Sequence, residues 1–282
     1  MPVALATFSG LLEGSPDAQA LRRALLALGV ETTVAAWNDP SVAWDAFDLV
    51  VVRCTWDYTE YRDDFLAWAE RVPRVCNAPD VLRWNTDKRY LRDLADAGVP
   101  VVPTLWDPDG LPSHWPEYVI KPAVSIGSRD TARWGPGEED QARAHLRDLR
   151  ARGRTVMLQP FLTAIETAGE TALVFRDGEF SHAARKAPIL RANAGIEGPV
   201  TGDDSRGQIT PATATDDQLA LARQTLAAVP GAPHLLYARV DMVPGPDGSP
   251  VVLELELTEP NLFLDKSPEA AQAFAQAIST RL

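Results

Sequence analysis

The chain has 282 residues and an ordinary globular composition, 45% hydrophobic and 23% charged, enough to bury a large core in more than one lobe. A formal net charge of −12 argues against nucleic acid or an anionic membrane as partner, although a small anion answers to a local site and not to the global charge. No apolar run approaches the ~20 residues of a membrane span, the N-terminus MPVALATFSG lacks the basic region of a secretory signal, and two cysteines, Cys54 and Cys76, suit a reduced cytoplasmic protein.

In chain order, residues 2–8 read as a buried strand, 16–28 as a helix ending at Gly29, and ETTVAAW and FDLVVVR as further strands. That alternation predicts a small parallel α/β sheet. RCTWDY stands at the carboxyl end of the third strand, where open α/β sheets bind ligands. Arg53, Thr55, Trp56, Asp57 and Tyr58 are therefore substrate-contact candidates, against the alternative of a capped loop around a packed tryptophan. A helix over about 60–71 follows, then another in TDKRYLRDLADAG with Thr86 as its cap. EYVIKPAVSIGSRDTARW reads as strand, loop, strand, with Lys121 closing the first strand. A helix over 138–151 precedes the strand TVMLQPFL, and TALVFRDG with EFSHAARKAP forms a hairpin about its Asp-Gly turn. Residues 191–215 read as a long polar loop, 216–229 as a helix, YARVDMV and VVLELEL as a last hairpin, and the chain closes with a helix from about Ser267.

In the last hairpin Arg239 and Asp241 share a strand face, and the GPDGSP turn brings Asp241 towards Glu254 and Glu256. A solvent-facing sheet surface would tolerate those glutamates. Convergence of three carboxylates instead calls for a cation, and oxygen-only ligands favour Mg²⁺ or Mn²⁺, whose coordination shell substrate phosphates commonly complete. No P-loop or dinucleotide fingerprint is present. The loop after Lys121, with Ser125, Gly127 and Ser128, offers a substitute cover for phosphates. Only four of the 27 basic residues are lysines, Lys88, Lys121, Lys186 and Lys266, and a lysine kept against such a bias suggests a need for a compact point charge.

Together NTDKRYLRDLADAGVP, YVIKP, LQPFL, ARKAP and VVLELELTEPN resemble the ATP-grasp superfamily, particularly its glutathione-synthetase-like members, from about Asn85 to Leu264. The resemblance implies an α/β (α+β) ATP-grasp fold with a parallel pre-ATP-grasp domain over 1–84, a small lid lobe with the first lysine's helix over 85–158, and an antiparallel-sheet lobe with the metal site over 159–282. It implies ATP and Mg²⁺ (or Mn²⁺) as cofactors. ATP would be held by Lys88, Lys121, Ser128, Gln159, Pro160, Phe161, Leu162 and Leu253, and its ribose by Glu170 or alternatively Glu166. Asp241, Glu254 and Glu256 would hold the metal, although Glu256 stands where glutathione synthetase uses Asn. Arg185, Arg239 and Lys121 would stabilise phosphoryl transfer.

WNDPSVAWDAFDLVVVRCTWDYTEYRDDFLAW, NAPDVLRWNTDKRYL and ELELTEPNLFL are similar to a narrower group of cyclo-ligases that close O-ureidoserine into D-cycloserine. That likeness implies a carboxylate activated as an acyl phosphate, an intramolecular C–N bond, and a small amino-acid-like substrate. Arg53 would take the substrate carboxylate, Asp57 or Glu259 the ammonium, Trp56 and Tyr58 would form walls, and Thr55 and Asn261 would add contacts. An intermolecular amino-acid ligase and a small-molecule kinase are the competing readings, with a non-catalytic nucleotide-binding module behind them. Family habit suggests a homodimer through the N-terminal sheet.

Overall fold

The computed structural model describes residues 1–196, 209–231 and 234–282. Its elements run β1 (Val3–Thr7), α1 (Pro16–Ala27), β2 (Thr32–Ala36), β3 (Leu49–Val52), α2 (Arg62–Arg71), β4 (Val75–Cys76), α3 (Pro79–Asn85) and α4 (Tyr90–Asp96). Next come β5 (Leu105–Trp106), β6 (Tyr118–Pro122), β7 (Ala132–Trp134), α5 (Glu139–Ala151), β8 (Val156–Pro160) and α6 (Ile165–Ala168). The last set is β9 (Glu170–Arg176), β10 (Glu179–Lys186), β11 (Ile209–Ala212), α7 (Asp216–Ala227), β12 (Tyr237–Pro244), β13 (Pro250–Glu256) and α8 (Pro268–Ser279).

The first sheet is parallel in the order β2-β1-β3-β4. VALAT and LVVV are apolar on both faces because both are covered. Val3, Leu5 and Val51 pack with Leu21 and Leu25 of α1 and with Phe274 and Ile278 of α8. Ala4, Ala6, Val50 and Val52 face Phe65, Leu66 and Trp68 of α2. The α1 helix starts where Ser15 Oγ accepts the Ala18 amide, with Pro16 in the first turn, and Gly29 follows it at φ +75°, a left-handed position open to glycine.

The lid sheet is antiparallel, β5-β8-β6-β7, with α5 packed on it. One element there has a titrating consequence. His145 of α5 is buried, accepts a hydrogen bond at Nδ1 from Trp134 Nε1 (3.1 Å), and lies 3.1 Å from the Asp130 carbonyl through Nε2. The indole N–H requires a bare Nδ1, so the ring is held neutral, and burial pushes its pKa below the usual histidine value. The unfolded chain then binds more protons than the native one below about pH 6.5, and stability falls with pH there by up to ~1.4 kcal/mol per unit. Melting curves of His145→Gln against wild type between pH 5 and 8 should show a flatter acid limb in the variant.

The third sheet is antiparallel, β11-β10-β9-β12-β13. Leu173, Phe175, Ala183, Val240 and Leu255 look towards α4 and α7, and Ala172, Val174, Ala184 and Tyr237 look towards α8.

Three expectations change. The helix expected from Thr86 is broken: α3 ends at Asn85, α4 begins at Tyr90, and Lys88 stands in the turn between them. The break frees the Lys88 amide to donate to the Ala123 carbonyl (2.9 Å), while the Asn85 side chain pairs with the β13 backbone at Leu255 and Leu257. The expected loop 191–215 contains β11, paired with β10, while 197–208 lies outside the described residues. The lobe boundary expected at 158 falls inside β8, and α4 packs Tyr90, Leu91 and Leu94 against the C-terminal sheet.

Candidate active site

Pairing of β12 with β13 sets Arg239 opposite Glu256 and Asp241 opposite Glu254, so four charged side chains share one sheet face. A bulge beyond Asp241 leaves Leu253 without a partner residue. The bulge separates Leu253 from Leu255 and Leu257, so Leu253 lines the cavity while the other two enter the core. On the neighbouring strands Lys186 lies opposite Glu170. Lys186 Nζ sits 2.7 Å from Glu170 and 2.8 Å from Asp241. Arg239 grips Asp241 through Nε (2.8 Å) and Nη2 (2.9 Å) and also bonds Glu256. Lys88 Nζ sits 3.1 Å from Glu254 and donates to the Ser125 carbonyl at 2.6 Å. The floor of the site is thus a lattice of alternating charge.

Burial alone would raise every acid of this floor. At Asp241 the Arg239 and Lys186 charges outweigh it and hold the carboxyl near 2. At Glu254, Lys88 and Lys121 bring the value below the usual range. At Glu256 burial wins over Arg239, helped by Glu254 and Asp241, and the carboxyl rises to about 7. Lys121, at the end of β6, is pushed down to about 8 by burial, with Glu254 opposing and Lys88 adding to the fall. Among the described residues no three acids stand close enough to ligate one ion. The donor set is nevertheless all oxygen, and a divalent cation would offset the burial and the Glu254 and Asp241 charges that act on Glu256, so the residues fit such an ion.

Above this floor a cavity of about 300 Å³ runs from Ser15, Asp17 and Trp56 on the N-terminal side to Gln159, Pro160, Phe161 and Leu162 on the lid side. A smaller polar chamber opens beside it under the loop 125–128, walled by Tyr58, Lys88, Lys121, Glu254 and Glu259. Gly127 and Ser128 both take φ +58°, which turns this loop over the chamber. The Phe161 amide is committed to the Glu117 carbonyl (2.9 Å), and Gln159 Nε2 donates to Thr104 Oγ1 (2.9 Å).

Most of the expected residues meet here: Lys88, Lys121, Ser128, residues 159–162, Glu170, Arg239, Leu253, Glu254, Glu256, Glu259, Asn261 and Trp56 border the cavity or chamber. Asp241 lies beneath, fully paired. Five do not face it. Arg185 is exposed on the opposite face of β10 and donates to the Ala168 carbonyl. Arg53 is 2% exposed, bonded to Asp17 (2.5 Å) and to the Pro260 carbonyl (2.7 Å), so a substrate cannot reach it. Asp57 turns outward to Trp37 Nε1 (2.7 Å) and Asn38 Nδ2 (2.9 Å). Thr55 is fully buried. Glu166 pairs with Arg133 of β7, whose guanidinium also covers the Phe161 ring at 3.6 Å, and of the two acids only Glu170 borders the cavity. The residue missed was Lys186, already marked by the scarcity of lysine.

Residues 3–77 match the family model described as D-cycloserine synthetase DcsG, N-terminal domain. The chain is 36% identical over 301 residues to cycloserine biosynthesis protein DcsG of Streptomyces lavendulae, a match covering 99% of this chain and 98% of that protein. The crystal structure of D-cycloserine synthetase DcsG superposes with a TM-score of 0.88 at 35% identity, covering 100% of this chain and 99% of that one. The ATP-grasp ligase PsnB, at TM-score 0.66 and 18% identity over 100% of this chain and 99% of that one, shares the fold.

Proposed function

The chain belongs to the family of D-cycloserine synthetase DcsG, with the ATP-grasp fold, and we propose that it is an ADP-forming ligase closing O-ureido-D-serine into D-cycloserine. One observation carries the reading: the full-length likeness to that family coincides with a cavity whose floor alternates Lys88, Glu254, Lys186, Asp241, Arg239 and Glu256.

In this reading adenine lies between the 160–162 segment and Leu253, Glu170 serves the ribose, and the phosphates extend to Lys88, Lys121 and Ser128. Asp241, Glu254 and Glu256 would hold Mg²⁺ or Mn²⁺, which supplies charge neutralisation at the phosphate oxygens. The protein's own part is positioning. Lys121 and Lys186 draw the γ-phosphoryl towards the substrate carboxylate, and Arg239 stabilises the oxyanion formed when nitrogen attacks the acyl phosphate. Trp56 and Asn261 border the amino-acid end, and the loop 125–128 excludes water that would hydrolyse the acyl phosphate.

The test is mass spectrometry of the product with ADP and phosphate counted in parallel. Purified protein should give D-cycloserine and ADP in equal amounts from O-ureido-D-serine and Mg-ATP, and neither after chelation of the metal. ADP with an open-chain phosphorylated product would instead establish a kinase, and product only from mixed amino acids an intermolecular ligase.

A further inference from the structure

The acids bordering the cavity are matched with bases, with one exception. Asp17 has Arg53, Glu170 has Lys186, Glu254 has Lys88, Glu256 has Arg239 and Asp265 has Lys266. Glu259, just past β13, borders both the large cavity and the polar chamber, is 7% exposed, and has no basic partner among the described residues. Its Oε2 is buried and without a hydrogen-bond partner. The phenol of Tyr58, from the short turn after β3, stands beside the same carboxyl in the chamber. An orphaned carboxyl oxygen is costly to bury.

We propose that Glu259, with Tyr58 beside it, is the catalytic residue that accepts the proton of the attacking nitrogen. The inference rests on the ligase reading above. In the step the nitrogen lone pair forms the C–N bond to the carbonyl carbon. The bond from that carbon to the phosphate oxygen breaks with its electron pair leaving on phosphate, and the N–H proton passes to the Glu259 carboxylate. The ring nitrogen still carries the carbamoyl group, whose C–N bond is then broken by water, hydroxyl going to the carbamoyl carbon and a proton to the ring nitrogen, so that carbamic acid leaves and D-cycloserine remains. Placement in the chamber shared with Lys88, Lys121 and the loop 125–128 sets the carboxyl where an acyl phosphate would form, away from the apolar adenine side. Burial, with Glu256 adding to it, raises this carboxyl to about 8, close to working pH, where proton exchange is efficient.

The experiment separates the two halves of the reaction. Full-length protein is given Mg-ATP and O-ureido-D-serine, with hydroxylamine added in a parallel arm to trap the acyl phosphate as hydroxamate. Glu259→Gln is expected to keep ADP and hydroxamate formation within about threefold of wild type while ring product per ADP falls at least about tenfold. Tyr58→Phe, which leaves the carboxyl in place, should lower the same ratio by less, and it decides the matter if Glu259→Gln does not fold. An unchanged product-to-ADP ratio in the folded variants, or ADP and product falling together, overturns the assignment of Glu259 alone. Wild type that forms no ring product takes the ligase reading down, and this proposal with it.

Discussion

Replacing Arg53 by alanine should destabilise the protein by about 3–5 kcal/mol, with a fall in melting temperature of roughly 10 °C. Arg53 and Asp17 are each 2% exposed at the side chain and meet at 2.5 Å. The guanidinium also reaches the Pro260 carbonyl and lies 5.3 Å from the Tyr237 ring centroid, while the other Asp17 oxygen accepts the Leu264 amide at 2.7 Å. This one pair therefore clamps α1, β3 and the segment 260–264, which carries Asn261 to the cavity. Alanine leaves the Asp17 carboxylate buried without its counter-charge and a void beside Tyr237. Removing both charges by Asp17→Asn with Arg53→Met should recover most of the loss, because an apolar replacement of a buried pair is commonly close to neutral. Urea melts of the single and double variants measure this. An Arg53→Ala protein as stable as wild type, with only KM for the amino-acid substrate raised, would return Arg53 to the substrate role read from the sequence.

Lys186→Ala should lower kcat/KM by about 10²–10³, the scale for removing one preorganised charge from a transition state, whereas Arg185→Ala should stay within about twofold. The neighbours differ because of one extra residue. Between Phe180 and His182 the β9–β10 pairing slips by a residue. Counted from the Asp177–Gly178 turn without the slip, Arg185 would oppose Glu170; with it, Lys186 does, and Arg185 moves to the other face. Steady-state kinetics of the two variants, with melts to confirm folding, provide the check. Equal effects at both positions would contradict the face assignment.

That slip also marks where sequence reading reached its limit. The β12–β13 hairpin was legible because Arg239, Asp241, Glu254 and Glu256 sit on one side of its own bulge, so strict alternation holds between them. The β10 bulge carries no glycine or proline to announce it, and the likeness of ARKAP to a phosphate-contacting segment pointed to Arg185, one residue short of the Lys186 that faces the site. The parallel sheet was legible from continuous apolar runs in β1 and β3. Arg53 and Asp57 were placed at the correct strand end but not with the correct outlook: long-range partners, Asp17 for one and Trp37 with Asn38 for the other, turned them away. Lys88 was found by its neighbourhood, yet its helix was not, because the break depends on the Ala123 carbonyl, far along the chain.

The packing of α8 against the first sheet has a consequence for biosynthesis. Val3, Leu5, Leu21 and Leu25 share a core with Ala271, Phe274 and Ile278, and Arg74 donates to the Arg281 carbonyl at 2.6 Å. On the ribosome the earliest sheet emerges with its α2 side ready to close and its other side only partly covered by α1. The rest of that cover is α8, which is translated only after the other two sheets. A nascent chain that has not yet reached α8, or one shortened before Ser267, therefore carries an exposed apolar face on this sheet until α8 folds over it.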